Sequence, residues 1–329
     1  MILFSILWND ILPLFVFIGA GWFLDSKFKI DISTYSKLTI LVVLPCFIFY
    51  SLYGYRGSGM EMAAVAAAVL LLLVQFLLSG GLGRLLHLQK GKFDEFRAVS
   101  TFSNSGHIGA ALIMLIYIHP PFSEGNSPPY LAEALGTLAV LMIVMNMAVN
   151  VFGAALIRSR GASVSEFFRY LLKMPALYAA LLAVLVRAAD IPLEHTFLWQ
   201  VLQHFNGAFI VLITVTIGIE LHRIRLQKTG AAQLASGLMK LIAAPFLAWC
   251  ILLLFSSIMD MSPVMKQVFF LYAAIPSSMA LIIYSVEYDN HPDFVTQSVL
   301  LKTIVGAFTV SAAIYQTSLL FTLWLLGGL

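Results

Sequence analysis

The chain is 329 residues long and 60% hydrophobic, and its 19 basic and 16 acidic residues make only 11% charged, with a net charge of +3. Its mean hydropathy is +0.93. A water-soluble domain carries about 25% charged residues to wet its surface, so this composition excludes a soluble enzyme, a disordered chain and a nucleic-acid-binding protein. Cys46 and Cys250 both lie in apolar runs and are read as buried thiols rather than a disulfide. What remains is a polytopic membrane protein.

A spanning helix needs roughly 20 mostly apolar residues. Ten such runs follow one another: 5–24, 34–53, 60–86, 95–118, 129–157, 167–187, 196–222, 231–258, 264–286 and 293–325. They leave no room for a soluble domain. The first run has no basic leader and no small-residue cleavage site, so it is read as a retained span. Lys and Arg in the loops set the orientation. With the N-terminus outside, the inner segments hold Lys27, Lys29, Arg84, Lys90, Lys92, Arg97, Arg158, Arg160, Arg169, Arg223, Arg225 and Lys228. The outer segments hold only Arg56, Arg187 and Lys266. Leu329 is then outside too, while the ninth loop, Glu287 to Asp293, faces inside without Lys or Arg.

The basic loop from Arg158 to Arg169 divides the chain into five spans (1–160) and five spans (161–329). An odd number per half forces opposite orientations, the inverted-topology repeat of many secondary transporters. Leu12-Pro13-Leu14 and Met174-Pro175-Ala176 occupy corresponding places in the first and sixth spans.

The fourth span of each half is broken in character. One reads Thr101-Phe102-Ser103-Asn104-Ser105-Gly106-His107-Ile108-Gly109, the other Ala273-Ala274-Ile275-Pro276-Ser277-Ser278-Met279. Proline removes a backbone donor and glycine relaxes a helix. Such backbone at mid-membrane depth is tolerated only where it is buried in protein or lines a wet cavity. The plainer alternative is two kinked packing helices. Two breaks in corresponding places point instead to a transport site, where half-helix N-termini offer N–H groups and partial positive charge to an anion. Asn104, Ser105, Gly106, His107 and Gly109 on one side, with Pro276, Ser277 and Ser278 on the other, are the expected holders of a carboxylate.

Asn104-Ser105-Gly106-His107-Ile108-Gly109 resembles the N-x-G-N-x-G motif of the auxin efflux carrier family. Leu44-Pro45, Met174-Pro175, Ile217-Gly218 and Ala274-Ile275-Pro276 stand in family order, so the likeness covers nearly the whole chain, and the short central loop resembles the bacterial members. The resemblance implies an all-α fold of ten helices in an inverted 5+5 repeat with crossed, discontinuous fourth and ninth helices. It further implies a scaffold of spans 1, 2, 6 and 7, a mobile unit of spans 3–5 and 8–10, and elevator-type transport of organic anions such as malate and malonate. By the same likeness Asn104 contacts the substrate carboxylate, Pro276 is the crossing proline, and Pro45 lies near the pocket. His107 stands where the family usually has asparagine.

Ionisable groups inside a span are functional candidates by default. Lys302 lies about ten residues into the last span, either compensating charge at the crossing point or snorkelling to the headgroups. His107 is either protonated during the cycle or a neutral hydrogen-bonding residue. Glu220 ends the seventh span beside His222 and Arg223, as part of an interfacial salt-bridge cluster or a coupling group. Asn146 and Asn150 share a helical face, lining a path or bonding a neighbouring helix, and Gln75 is a similar case. Lys240 is read at the inner end of the eighth span.

The sequence has no Walker-type loop, no metal-spaced His or Cys pair and no buried aspartate pair. The expected activity is therefore not enzymatic, and no cofactor or metal is expected. The reading is a secondary transporter of a small organic anion in the cytoplasmic membrane, with H+ a more natural coupling ion than Na+ and a homodimer through the scaffold implied by the family. The alternatives are a cation-coupled bile-acid-type symporter and a non-transporting receptor on the same fold.

Overall fold

In lipid, apolar runs with few charges can satisfy their own backbone groups as helices, and the chain obeys. The computed structural model describes residues 7–55, 61–120, 122–123, 128–158, 163–223, 229–255 and 258–325. Arg56, Arg160, Arg225, Lys228 and Leu329, used above for orientation, lie outside the described residues.

The helices are α1 Leu12–Phe28, α2 Ile32–Gly54, α3 Glu61–Leu85, α4 Lys90–Thr101, α5 Ser105–Tyr117, α6 Leu131–Ile157, α7 Val164–Lys173 and α8 Pro175–Ala188. They continue with α9 Phe197–Arg223, α10 Ala231–Phe255, α11 Pro263–Ala274, α12 Ala280–Glu287 and α13 Pro292–Leu325. Among the described residues six are long and apolar enough to cross a membrane: α2, α3, α6, α9, α10 and α13. The pair α7 and α8, bent by 63° at Met174, makes a seventh if counted as one span. The predicted fourth and ninth spans are each divided, into α4 and α5 and into α11 and α12. Among the described residues there is no strand, only an isolated antiparallel bridge between Ser103 and Ser277.

Local chemistry sets the ends and irregularities. Asp31 caps α2 by accepting from Ser33 N–H at 3.1 Å and Thr34 Oγ1 at 2.5 Å. The Thr34 hydroxyl, with the Ser33 N–H, holds the Asp31 carboxyl below the ordinary range. The Ser262 hydroxyl caps α11 at Met265 N–H, 3.0 Å away. Three π-helical turns, Leu7–Ile11, Thr39–Val43 and Met239–Ala243, each end two residues before a proline: Pro13, Pro45 and Pro245. A proline offers no N–H and crowds the carbonyl four residues back, and widening the preceding turn absorbs both defects.

The chain folds into two compact units. The first comprises Met1–Ser58, Gly106–Ala139 and Leu171–Ile224, the second Gly59–Ser105, Val140–Tyr170 and Arg225–Leu329. In the first unit α1 packs along α9 and α2 along α8. Gly21 lies on the Val215 carbonyl and Gly218 on the Ile18 carbonyl, so α1 and α9 meet backbone to backbone. The Tyr53 hydroxyl binds the turn after α8, 2.7 Å from Glu194 Oε2 and accepting from Leu193 N–H at 2.9 Å. In the second unit α4 packs on α3, α10 and α13, and α11 packs on α10 and α13. Large apolar side chains such as Phe15, Leu77, Phe246 and Phe308 face outward, as lipid requires. Cys250 is one of these outward residues and Cys46 is half-buried, so neither is the buried thiol expected from its apolar run.

Candidate functional site

The site in the second unit begins where α4 stops. After Thr101 the backbone turns extended at Phe102, and after Ala274 it does the same at Ile275. The two extended pieces pair antiparallel. Asn104 N–H donates to Pro276 O at 2.8 Å, and Ser278 N–H donates to Phe102 O at 3.0 Å. Asn104, Ser105, Pro276, Ser277 and Ser278 are brought together here, all within the second unit. Two backbone donors that the sequence reading left for a ligand are therefore taken by the bridge.

Breaking α4 orphans its last carbonyls, and side chains answer. Ser103 N–H, which an unbroken helix would aim at Val99 O, points to Met145 Sδ at 3.3 Å. The Val99 carbonyl instead accepts from Ser277 Oγ at 2.5 Å and from Lys302 Nζ at 2.8 Å. Lys302 also donates to Ser236 Oγ at 3.1 Å. Its side chain is wholly buried, so the amino group lies in the unit's interior.

A second lysine shares this place. Lys240 is 1% exposed and donates from Nζ to Ser103 Oγ at 2.5 Å. Its expected position at the inner end of the eighth span is corrected. The π turn Met239–Ala243 ahead of Pro245 carries it into the core of the unit, onto the first break. Among the described residues neither ammonium has a carboxylate partner. Two buried lysine side chains thus bracket the bridge with only hydroxyls and a carbonyl around their amino groups. Ser105 Oγ and Thr101 Oγ1, both buried beside the bridge, make no hydrogen bond among the described residues.

Small residues let other helices close on the breaks. A Cβ at Gly306 of α13 would lie 3.2 Å from the Pro276 ring. One at Gly153 of α6 would lie 3.3 Å from the Phe102 ring. Asn150, one turn along α6, donates to Asn146 O at 2.7 Å and accepts from the Tyr284 hydroxyl, so it bonds a neighbouring helix. Gln75 is buried on α3 with its Oε1 making no hydrogen bond among the described residues.

The remaining candidates fall in the first unit: Pro45 on α2, Gly106, His107 and Gly109 in the π turn Ser105–Gly109, and Glu220 on α9. The salt-bridge cluster expected around Glu220 is centred on a different carboxylate. Asp25 accepts from Arg223 Nη2 at 2.6 Å, Arg223 Nε at 3.0 Å and His222 Nδ1 at 2.8 Å, and Glu220 Oε2 makes no hydrogen bond among the described residues. Asp25 reaches these donors from the facing helix α1, where one carboxylate meets both His222 and the two-pronged Arg223.

Comparison with known proteins gives the chain's family. A family model described as a membrane transport protein matches residues 6–314. An uncharacterized transporter of Methanothermobacter thermautotrophicus is 25% identical over 281 residues, covering 84% of this chain and 86% of its own. The chain belongs to the auxin efflux carrier family of membrane transport proteins.

Proposed function

We propose that the protein is a secondary transporter moving a small organic anion, a carboxylate or dicarboxylate, across the cytoplasmic membrane by elevator-type alternating access. The observation that carries this reading is the pair of buried lysine side chains at the bridge, Lys240 on Ser103 and Lys302 on Val99 O, with no acidic partner among the described residues, which an arriving anion would hold charged. A buried charge costs several kcal/mol when uncompensated. An anion held beside Ser105, Ser277 and Ser278, with Asn104 as a further ligand, supplies the compensation and gains two fixed cations in return. Fixed cations also take the place that a bound Na+ would hold, so H+ or the anion gradient itself drives transport.

The architecture in this reading is ten spans as an inverted 5+5 repeat, residues 1–160 and 161–329. The matching contacts of Gly153 on Phe102 and Gly306 on Pro276 support it, since each glycine lies in the last span of its half. Spans 1, 2, 6 and 7 form the scaffold, supported by the presence of 1–58 and 171–224 in one compact unit, which also takes in 106–139 from the fourth and fifth spans. The loop charges support termini on the outside, and a homodimer through the scaffold belongs to the same proposal.

The test is uptake and efflux of labelled malate and malonate in proteoliposomes, with and without a pH gradient. Saturable flux competed by the unlabelled acid is expected. Specific binding with no flux of either acid overturns transport in favour of a receptor.

A further inference from the structure

Polar chemistry in the second unit extends away from the bridge along α4. Glu95 is fully buried, and neither of its carboxyl oxygens accepts a hydrogen bond among the described residues. Its one ion-pair neighbour is His291, whose Nδ1 lies 3.8 Å from Glu95 Oε2 and 3.0 Å from Asn290 Oδ1. His291 is exposed on the turn between α12 and α13.

Helix register gives the way inward. Gly91 packs against Asn290 and His291, the Lys92 ammonium stands 5.1 Å over the Phe294 ring, and Lys302 donates to Val99 O. So α4 and α13 run side by side in the same direction from that turn to the bridge. Between the two ends lie the buried hydroxyls of Ser100 and Ser298, which make no hydrogen bond among the described residues. Glu95 stands one helical turn, about 6 Å, before Val99, whose carbonyl holds the Lys302 ammonium.

The other charged groups around α4 are engaged elsewhere or are cations of the bridge. Arg97 of α4 lies on the Phe76 ring, and Arg158 at the end of α6 pairs with Glu166 at 3.3 Å. Lys240 of α10 and Lys302 of α13 bond at the bridge. Lys92 of α4 favours the ionised carboxylate through space and Asp94 opposes it, while Arg84 of α3, Asp293 of α13 and Lys90 of α4 make no ion pair with Glu95 among the described residues. With no hydrogen bond to either oxygen among the described residues, an ionised Glu95 carboxylate is left with little to offset its lost hydration, a cost of several kcal/mol. A proton removes that cost.

We propose that Glu95 is a proton-binding site, loaded through His291, whose occupancy sets the charge one turn from Lys302 and couples proton movement to anion passage. In loading, an imidazolium N–H of His291 gives its proton to the Glu95 carboxylate, leaving a neutral imidazole and a carboxylic acid. The coupling rests on the transport reading above; the proton site does not.

Infrared difference spectra of the purified protein in liposomes, titrated without any organic anion, test the site. The expected result is a protonated-carboxyl C=O stretch at neutral pH that alkalinisation removes, that Glu95→Gln lacks and that Glu220→Gln retains. His291→Ala slows its titration. A stretch unchanged by Glu95→Gln overturns the site, with the thermal unfolding midpoint of the variant checking that it folds. For the coupling, Glu95→Gln loses the accumulation of labelled malate driven by a pH gradient but keeps malate–malate exchange at equal pH. Full gradient-driven accumulation by Glu95→Gln overturns the coupling and leaves transport standing. A normal carboxyl titration in a wild type that moves neither malate nor malonate supports the site and overturns the transport reading and the coupling together.

Discussion

The Lys240 ammonium lies 2.5 Å from the Ser103 hydroxyl, fully buried, at the point where α4 is interrupted. Replacing it by a residue of similar volume without charge separates packing from electrostatics. Lys240→Met should leave the thermal unfolding midpoint unchanged or raised, because removal of a buried charge for an apolar group is often neutral or stabilising. A charged hydrogen bond to an anion is worth about 1.5–3 kcal/mol, so malate affinity should fall about tenfold to a hundredfold. Wild-type affinity in Lys240→Met would make the lysine purely structural.

Lys302 differs because it also holds a backbone carbonyl that the broken helix leaves over. Lys302→Met should remove malate flux while the protein still assembles in the membrane, since Ser277 Oγ continues to serve Val99 O. Near-normal flux in proteoliposomes would show that its charge plays no part.

Asn104 is tied to the bridge through its backbone, N–H to Pro276 O at 2.8 Å, so its side chain can be removed without undoing the pairing. Asn104→Ala should therefore fold normally and bind malate about tenfold more weakly, the loss of one hydrogen bond to a charged group. A thermal-shift titration reads both quantities. Unchanged affinity would take the Asn104 amide out of the site.

Particular residues show what the sequence could and could not reveal. The breaks were legible because Thr101 to Gly109 and Pro276 to Ser278 put polar and helix-breaking residues in mid-span. Counting along the last span put Lys302 about ten residues in but left open whether it was buried or snorkelled; its burial against Val99 O depends on how α4 and α13 pack. The same count puts Lys240 nine residues beyond Ala231, about 13 Å along the helix, so the signal was present. Glu95 was hidden by a boundary, because the predicted span began on it whereas α4 begins at Lys90. The pairing of Asp25 with Arg223 joins residues 198 apart and depends on α1 facing α9, which no local pattern encodes. Ten apolar runs were read as ten spans, yet among the described residues six helices, or seven counting the bent pair as one, are long and apolar enough to cross a membrane. The fourth and ninth predicted spans fall short because they are divided, and the first because its α-helix, Leu12–Phe28, has only 17 residues.

The Asp25 carboxylate is 4% exposed and accepts three hydrogen bonds from Arg223 and His222. Asp25→Asn keeps the shape but removes the charge that these donors face. Because the Arg223 side chain is 41% exposed, water recovers part of the loss. The expected cost is about 1–3 kcal/mol, seen as a lower unfolding midpoint in detergent. Asp25→Glu should not restore it, since the longer side chain cannot keep the two-pronged contact with Arg223.

The same helix pair yields the sharpest packing test. Any Cβ on Gly218 would fall on the Ile18 carbonyl, and any Cβ on Gly21 on the Val215 carbonyl. Both obstacles are backbone, so α1 and α9 must move apart rather than turn a side chain aside. Gly218→Ala and Gly21→Ala should each cost about 1–3 kcal/mol or more through overpacking, and the double variant should cost less than their sum, since one separation of the helices relieves both contacts. Gly19, two residues along α1, has no atom within 4 Å of its would-be Cβ. Gly19→Ala should be neutral, or stabilising by up to about 1 kcal/mol from helix propensity. If Gly19→Ala and Gly218→Ala shift the unfolding midpoint alike, the two helices do not meet through their backbones as described.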